Sequence, residues 1–317
     1  MRKQRLLAIA TAAGTVFAIA VAPGAGAAPP SDPASAMPGA LQLLSSSGSQ
    51  DVWAGGWVRN GTDKEKHQLY RGGTGSWARV TGLPRFTGGN QLVGLDAVSP
   101  RDVWALALQG NRTFALHWDG TSWTKTRLPV VGRKAQDYTD IDEVAPGDVW
   151  ACGTTSSHGG KVLMARFDGR SWHRVAVPGV DGNGADVLSM ASADDGWATL
   201  FHDGAAGHRF QLLHWNGSAW SLVGPRTGPN GVVRSVRSVV DISPSDAWAG
   251  TSSPNLLHWD GSRWSDVPFQ LGDRDFSYLE EVAASGSGDV WAAGTAGDIG
   301  PVFEHWDGSA WTQYPTP

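Results

Sequence analysis

Four histidines, His117, His214, His258 and His305, stand in nearly the same surroundings. Three open the tetrapeptide His-Trp-Asp-Gly and the fourth opens His-Trp-Asn-Gly. Imidazoles repeated in this way are metal-ligand chemistry if they converge. Asp96, Asp142, Glu143, Asp241, Glu280 and Glu281 offer oxygen donors of the kind that suits Ca²⁺. Seventeen tryptophans supply planar rings able to stack on the apolar face of a sugar. No nucleophile elbow, zinc-type His-Glu-x-x-His or phosphate loop is present. Which of these groups can act together depends on the elements that hold them.

Those elements repeat. One Trp recurs at 53, 104, 150, 197, 248 and 291, always followed by Ala and, in five copies, directly preceded by an Asp-Val or Asp-Ala pair. A second Trp recurs at 77, 123, 172, 220, 264 and 311, behind the His-Trp-Asp-Gly tetrapeptide or a variant of it. The first copy departs most, with Leu69-Tyr70 and a Gly-rich stretch at that place. A period of 43 to 51 residues is that of four-stranded propeller blades. In the second copy, strand A is read at Leu92 to Val98, B at Val103 to Leu108, C at Phe114 to Trp118 and D at Trp123 to Arg127. Ser99-Pro100-Arg101-Asp102 makes the A–B turn and Asp119-Gly120-Thr121-Ser122 the C–D turn, both with the residues tight turns require. The expected fold is all-β: a six-bladed β-propeller of four-stranded antiparallel blades over 41–317, closing without an offset strand unless the leader adds one.

This geometry sorts the chemistry. Equivalent residues of six blades are related by rotations of about 60° and meet only near the axis. The four histidines therefore cannot form one metal cluster; each belongs to its own blade. The marker tryptophans are read as core between blades, and the Asp before each as a turn cap. Strand A is innermost. Its columns are aligned as Gln42, Asp96, Asp142, Ser189, Val240, Glu280 and as Leu43, Ala97, Glu143, Met190, Asp241, Glu281. Two readings of these acids stay open. One is a water-filled channel with carboxylates bonded to backbone N–H groups. The other is an axial Ca²⁺, with Asp96, Asp142 and Glu280 as ligands. The short A–B and C–D turns share one face. The B–C and D–A loops share the other and vary in length and chemistry, which is where binding commonly resides. Trp57 stands outside the repeat columns and opens the long loop Val58 to Lys66. It is the aromatic contact expected for a ligand, with Arg59, Asn60 and His202 as polar neighbours.

The Asp-Gly-x-x-Trp hairpin is similar to the Asp-box of sialidase-type propellers, although here Asp directly precedes Gly. The whole repeat resembles the tryptophan-rich propeller repeats of secreted bacterial proteins and, more loosely, kelch-type and lectin-type propellers. The resemblance spans the body of the chain. It implies a lectin-like, carbohydrate-binding recognition module without catalysis. A protein-interaction scaffold or the targeting subunit of a secreted toxin-type assembly is the alternative, and a polysaccharide hydrolase or lyase a further one. Sialidase-type chemistry would need a Tyr nucleophile and arginines near the axis, and the nearest set is Tyr278 with Arg234 and Arg237.

The N-terminus bears on where this module works. Arg2, Lys3 and Arg5 precede an apolar run from Leu6 to Val21, and Ala25-Gly26-Ala27 presents small residues for cleavage. Residues 1–27 read as a secretory signal peptide and 28–40 as a flexible Pro, Ala and Ser-rich leader. A secreted, extracellular protein is expected, with no later membrane span. The formal charge of −5 becomes −8 once three of the 25 basic residues leave with residues 1–27, against 30 acidic ones. Such a surface disfavours nucleic acid and anionic membranes as partners. A glycan, or a cell-surface or secreted protein, is the partner expected. Cys152, the single cysteine, is read as a buried small hydrophobe.

Overall fold

A computed structural model describes residues 8–10, 16–18, 39–59, 65–74, 76–86, 90–131, 136–155, 160–180, 184–204, 207–223, 236–252, 255–268, 278–296 and 300–314. Asn60, Arg234, residues 181–183 and most of the leader lie outside them. The body is a six-bladed β-propeller. Each blade is one antiparallel four-stranded sheet in the order A-B-C-D, made from contiguous sequence. Blade 1 comprises Gly39–Gly48, Asp51–Arg59, Glu65–Gly72 and Trp77–Arg79. Blade 2 comprises Asn90–Ser99, Asp102–Gln109, Arg112–Trp118 and Trp123–Arg127, so strands A to C run longer than the sequence suggests. Inner strands begin at Asp137, Gly184, Val236 and Tyr278 in blades 3 to 6. A separate two-stranded pair joins Ala8–Ala10 to Val16–Ala18. Among the described residues, no helix is long and apolar enough to cross a membrane.

The C–D turns form as their residues dictate. Asp119, Asp168, Asn216, Asp260 and Asp307 each accept N–H bonds from the residues two and three further on. The Gly after each sits at φ between 85° and 94°, where a side chain is strained. The Ser262 and Ser309 hydroxyls, and then these N–H bonds, hold the carboxyls of Asp260 and Asp307 down to about 2, and at Asp168 the N–H bonds do so.

Between blades lies the core. Five apolar clusters fill the five seams from blades 1 and 2 to blades 5 and 6. Each rests on the marker Trp of one blade meeting aromatic rings of the next: Trp53 on Trp123, Trp104 on Phe167 and Trp172, Trp150 on Trp215 and Trp220, Trp197 on Trp259 and Trp264, and Trp248 on Trp306 and Trp311. Five marker rings are buried, as expected, while Trp291 is only half-buried. Its other ring neighbours, His305 and Tyr314, both belong to its own blade. Among the described residues no apolar cluster joins blade 6 to blade 1. A ring without an offset strand has only side chains to seal that junction.

Candidate functional site

In every blade the Asp two residues before the marker Trp grips a cation-capable side chain of strand C. The pairs are Arg71–Asp51 at 2.6 Å, His117–Asp102 at 2.7 Å, Arg166–Asp148 at 2.7 Å, His214–Asp195 at 2.8 Å, His258–Asp246 at 3.0 Å and His305–Asp289 at 2.8 Å. The partner then lies on the marker ring. His117 stacks on Trp104 at 4.1 Å and His214 on Trp197 at 4.3 Å, and the Arg71 guanidinium sits 4.9 Å from the Trp53 ring. So the histidines serve their own blades, as the repeat argument holds. The Asp thus also bonds strand C, while Asp51 and Asp289 additionally accept the Ser47 and Ser285 hydroxyls within the A–B turn. Sequence reasoning followed the four histidines and so missed Arg71 and Arg166 at the same place of the repeat. The constant spacing of six residues from strand-C Arg or His to the strand-D Trp would have revealed it in all six copies.

The axis differs from the expected columns. Strand B pairs Trp53, Trp104, Trp150, Trp197, Trp248 and Trp291 with Ser45, Asp96, Asp142, Ser189, Val240 and Ala283. Gln42 and Glu280 therefore do not belong with Asp96 and Asp142, nor Leu43 and Glu281 with Glu143 and Asp241. Every inner strand has two register shifts, which break simple alternation. Counting eight residues back from the marker Trp recovers the true column. Its members stitch neighbouring blades together. Ser45 Oγ accepts the Ala97 N–H at 2.9 Å, Asp96 the Glu143 N–H at 2.7 Å, Asp142 the Met190 N–H at 2.7 Å, and Ser189 Oγ the Asp241 N–H at 2.9 Å. Glu280 instead meets Arg237 at 3.1 Å. Among the described residues no three His, Cys, Asp or Glu side chains are grouped as a metal ion would need. The Ca²⁺ set of Asp96, Asp142 and Glu280 is not assembled. The carboxylate-to-backbone bonds of the channel reading are present at Asp96 and Asp142.

A cavity of about 380 Å³ opens on the axis at the A–B turn face, lined among others by Asp142, Ser189, Met190, Val240, Asp241 and Ile242. Asp241 Oδ2 accepts the Ala191 N–H at 3.0 Å. Its Oδ1 is buried without a partner, as is Oδ2 of Asp195, and the two carboxyls are within hydrogen-bonding reach when one is protonated. Burial first, and then the charges of Asp195 and Asp142, push the Asp241 carboxyl up to about 9.

The contact set expected on the loop face is not drawn together. Trp57 lies inside strand B, paired with Ala40 and His67, and is half-buried; it does not open a loop. Strands B and C continue past it to the Arg59 and Glu65 pair. His202 is likewise within strand B of blade 4, paired with Arg209, three blades from Trp57. The side chains of Arg59 and His202, and all of Asn60, lie outside the described residues. Strand pairing at both B–C connections runs past the blade core, to Arg59 and Glu65 in blade 1 and to Gly204 and Gly207 in blade 4. The departures that matter gather in blade 1, which holds Trp57 and an exposed Trp77.

No protein-family model matches the chain, and no curated protein does. Solved structures share its fold at low identity. YCF48 bound to D1 peptide is 15% identical with a TM-score of 0.58, over 87% of this chain and 81% of that one. A fucose-specific lectin from Aleuria aurantia is 15% identical with a TM-score of 0.52, over 84% of this chain and 91% of that one. The extracellular domain of the putative one component system BT4673 from B. thetaiotaomicron is 10% identical with a TM-score of 0.55, over 87% of this chain and 33% of that one. At these identities the likeness concerns the fold alone.

Proposed function

We propose that this protein is a secreted carbohydrate-recognition module that binds without turnover. One observation carries the reading: Trp77 of blade 1 is 49% exposed, and among the described residues no marker ring of the preceding blade packs on it. Uncovered indoles next to polar groups are what a neutral sugar needs, because its C–H face stacks while its hydroxyls find donors and acceptors. The fold likeness to a fucose-specific lectin supports this reading. Binding without chemistry is supported by the missing catalytic signatures and by the engagement of Arg237 with Glu280. A secreted location rests on the basic and apolar N-terminus.

The test is a glycan array probed with residues 28–317, together with a polysaccharide hydrolysis assay. Saccharide binding with no product release is the expected result. No bound glycan, or release of sugar, overturns it. A second reading, recognition of a peptide, is favoured by the likeness to a propeller solved with a peptide bound. A peptide array run beside the glycan array separates the two.

A further inference from the structure

The axial cavity of about 380 Å³ at the A–B turn face takes its wall from blades 2 to 6. That size falls within the range of small-ligand sites. Most of the wall is apolar, with Val98, Val144, Met190, Val240 and Ile242 among its residues. Its charged residues are all acids: Asp102, Asp142 and Asp241, with no Lys, Arg or His beside them. Acids on an apolar wall repel an anion. They also fall short of a metal site, since among the described residues no three His, Cys, Asp or Glu side chains are grouped as an ion would need.

The three acids are not equivalent. Asp102 is tied to His117 at 2.7 Å, and Asp142 accepts the Met190 N–H at 2.7 Å. Asp241 is 8% exposed and accepts the Ala191 N–H through Oδ2, but its Oδ1 has no donor unless a proton is shared with Asp195. The repeat does not call for an acid there. Strand pairing puts Ser46, Ala97, Glu143, Met190 and Ala284 at the same place in the other blades. The charged groups acting on Asp241 are Asp195 of blade 4, which holds His214 at 2.8 Å, and Asp142 of blade 3. Burial and these two charges make the Asp241 carboxyl keep its proton up to about pH 9. A bound cation can stand in for that proton.

We infer that this axial cavity binds one primary ammonium group on an aliphatic stem, with the head against Asp142 and Asp241 and the stem along the apolar wall. Such a head brings three N–H donors and one positive charge to carboxyl oxygens. The stem gains from leaving water, which a metal ion cannot do. As the ammonium enters, the Asp241 proton passes to the buffer. A free alkylamine and the lysine side chain of a partner carry the same chemistry. The inference does not depend on the carbohydrate reading, and the site lies on the face opposite the B–C and D–A loops.

Residues 28–317, which hold all six blades, are titrated by calorimetry near neutral pH in phosphate and in Tris buffer. The probes are n-butylamine hydrochloride, n-butanol, calcium chloride and an acetylated, amidated Gly-Lys-Gly tripeptide. At least one of the two amines binds at one site per chain, with a heat that differs between the buffers because a proton is released. Butanol, the same stem without charge, binds at least tenfold more weakly. Asp241→Asn keeps the shape and removes the titrating group; it weakens the amine tenfold or more and abolishes the proton release, with its melting curve as a check on folding. The tighter of the two amines identifies the source, a free amine or a partner's lysine. No binding of either amine overturns the site. So does amine binding by Asp241→Asn within twofold of the unaltered protein, butanol binding as tightly as butylamine, or calcium displacing the amine at equal concentration. The comparison of butylamine with butanol needs no variant, so the inference can fail even if Asp241→Asn does not fold.

Discussion

The junction of blades 5 and 6 and the junction of blades 6 and 1 are built from the same repeat and end differently. At the first, Trp248 is 3% exposed, stacks against His258 and enters between Trp306 and Trp311. At the second, Trp291 stacks on His305 in the same way, but its remaining ring neighbour is Tyr314 of its own blade. Half of each socket is supplied by the following blade, and blade 1 has glycine where that half needs a ring. The comparison teaches that repetition absorbs aromatic residues into the core only while both halves are kept. One ring deleted at the edge of the array turns a core tryptophan into a surface one.

The strongest way to break this comparison is to empty each socket. Trp248→Ala removes a ring packed on three others and should cost about 3–5 kcal/mol. Trp291→Ala removes a half-buried ring and should cost about 1–2 kcal/mol. Guanidinium unfolding midpoints measure both, and equal losses would show that the last junction is sealed after all.

A second test uses pH at the junction of blades 4 and 5. The Asp241 carboxyl is raised in the folded state, by burial first and then by Asp195 and Asp142. A raised acid binds its proton more tightly folded than unfolded. Its contribution is therefore full below the ordinary carboxylate range near about 4 and is lost as pH rises towards about 9. Melting temperatures should fall steadily over that window, and Asp241→Asn should flatten the decline. The exposed turn acids act in the opposite sense. Asp168, Asp260 and Asp307 are held down to about 2, so their contribution is present above about 4 and disappears as pH falls towards 2.

Turn geometry sharpens the contrast at smaller cost. Gly261 sits at φ 90°, and a Cβ there would approach Ser245 Cβ to 3.0 Å. Gly261→Ala should lose about 1–2 kcal/mol from backbone strain, read from a thermal melt. The smallest effect is expected at Trp57, which belongs to none of the five apolar clusters. Trp57→Ala should change stability by less than about 1 kcal/mol. A loss like that of Trp248→Ala would place Trp57 in the core.

Much of the fold was legible in the chain. Trp53 and its five equivalents mark strand B, and Asp119-Gly120 and its relatives mark the C–D turns, because steric and hydrogen-bonding demands there are local. The period then sets the number of blades. Contacts between copies were less legible. The inner-strand column was misread at Gln42 and Glu280 because register shifts defeat simple alternation, and because acidity was followed instead of distance from the marker Trp. The Arg71–Asp51 and Arg166–Asp148 pairs were overlooked because Arg does not look like His, although both place a cation-capable group on the same ring.

What the sequence determined by itself is thus the repeating unit: four strands, two tight turns and a tryptophan for each seam. Only the tertiary structure decided which rings those seams cover. Whether Trp77 is core or surface depends on Gly72 across the turn and on where Trp291 packs, more than two hundred residues away. It likewise brought Asp195 beside Asp241 from a different blade, where burial and then the Asp195 charge raise the Asp241 carboxyl. Local rules choose strands and turns; burial is a property of what arrives from elsewhere in the chain.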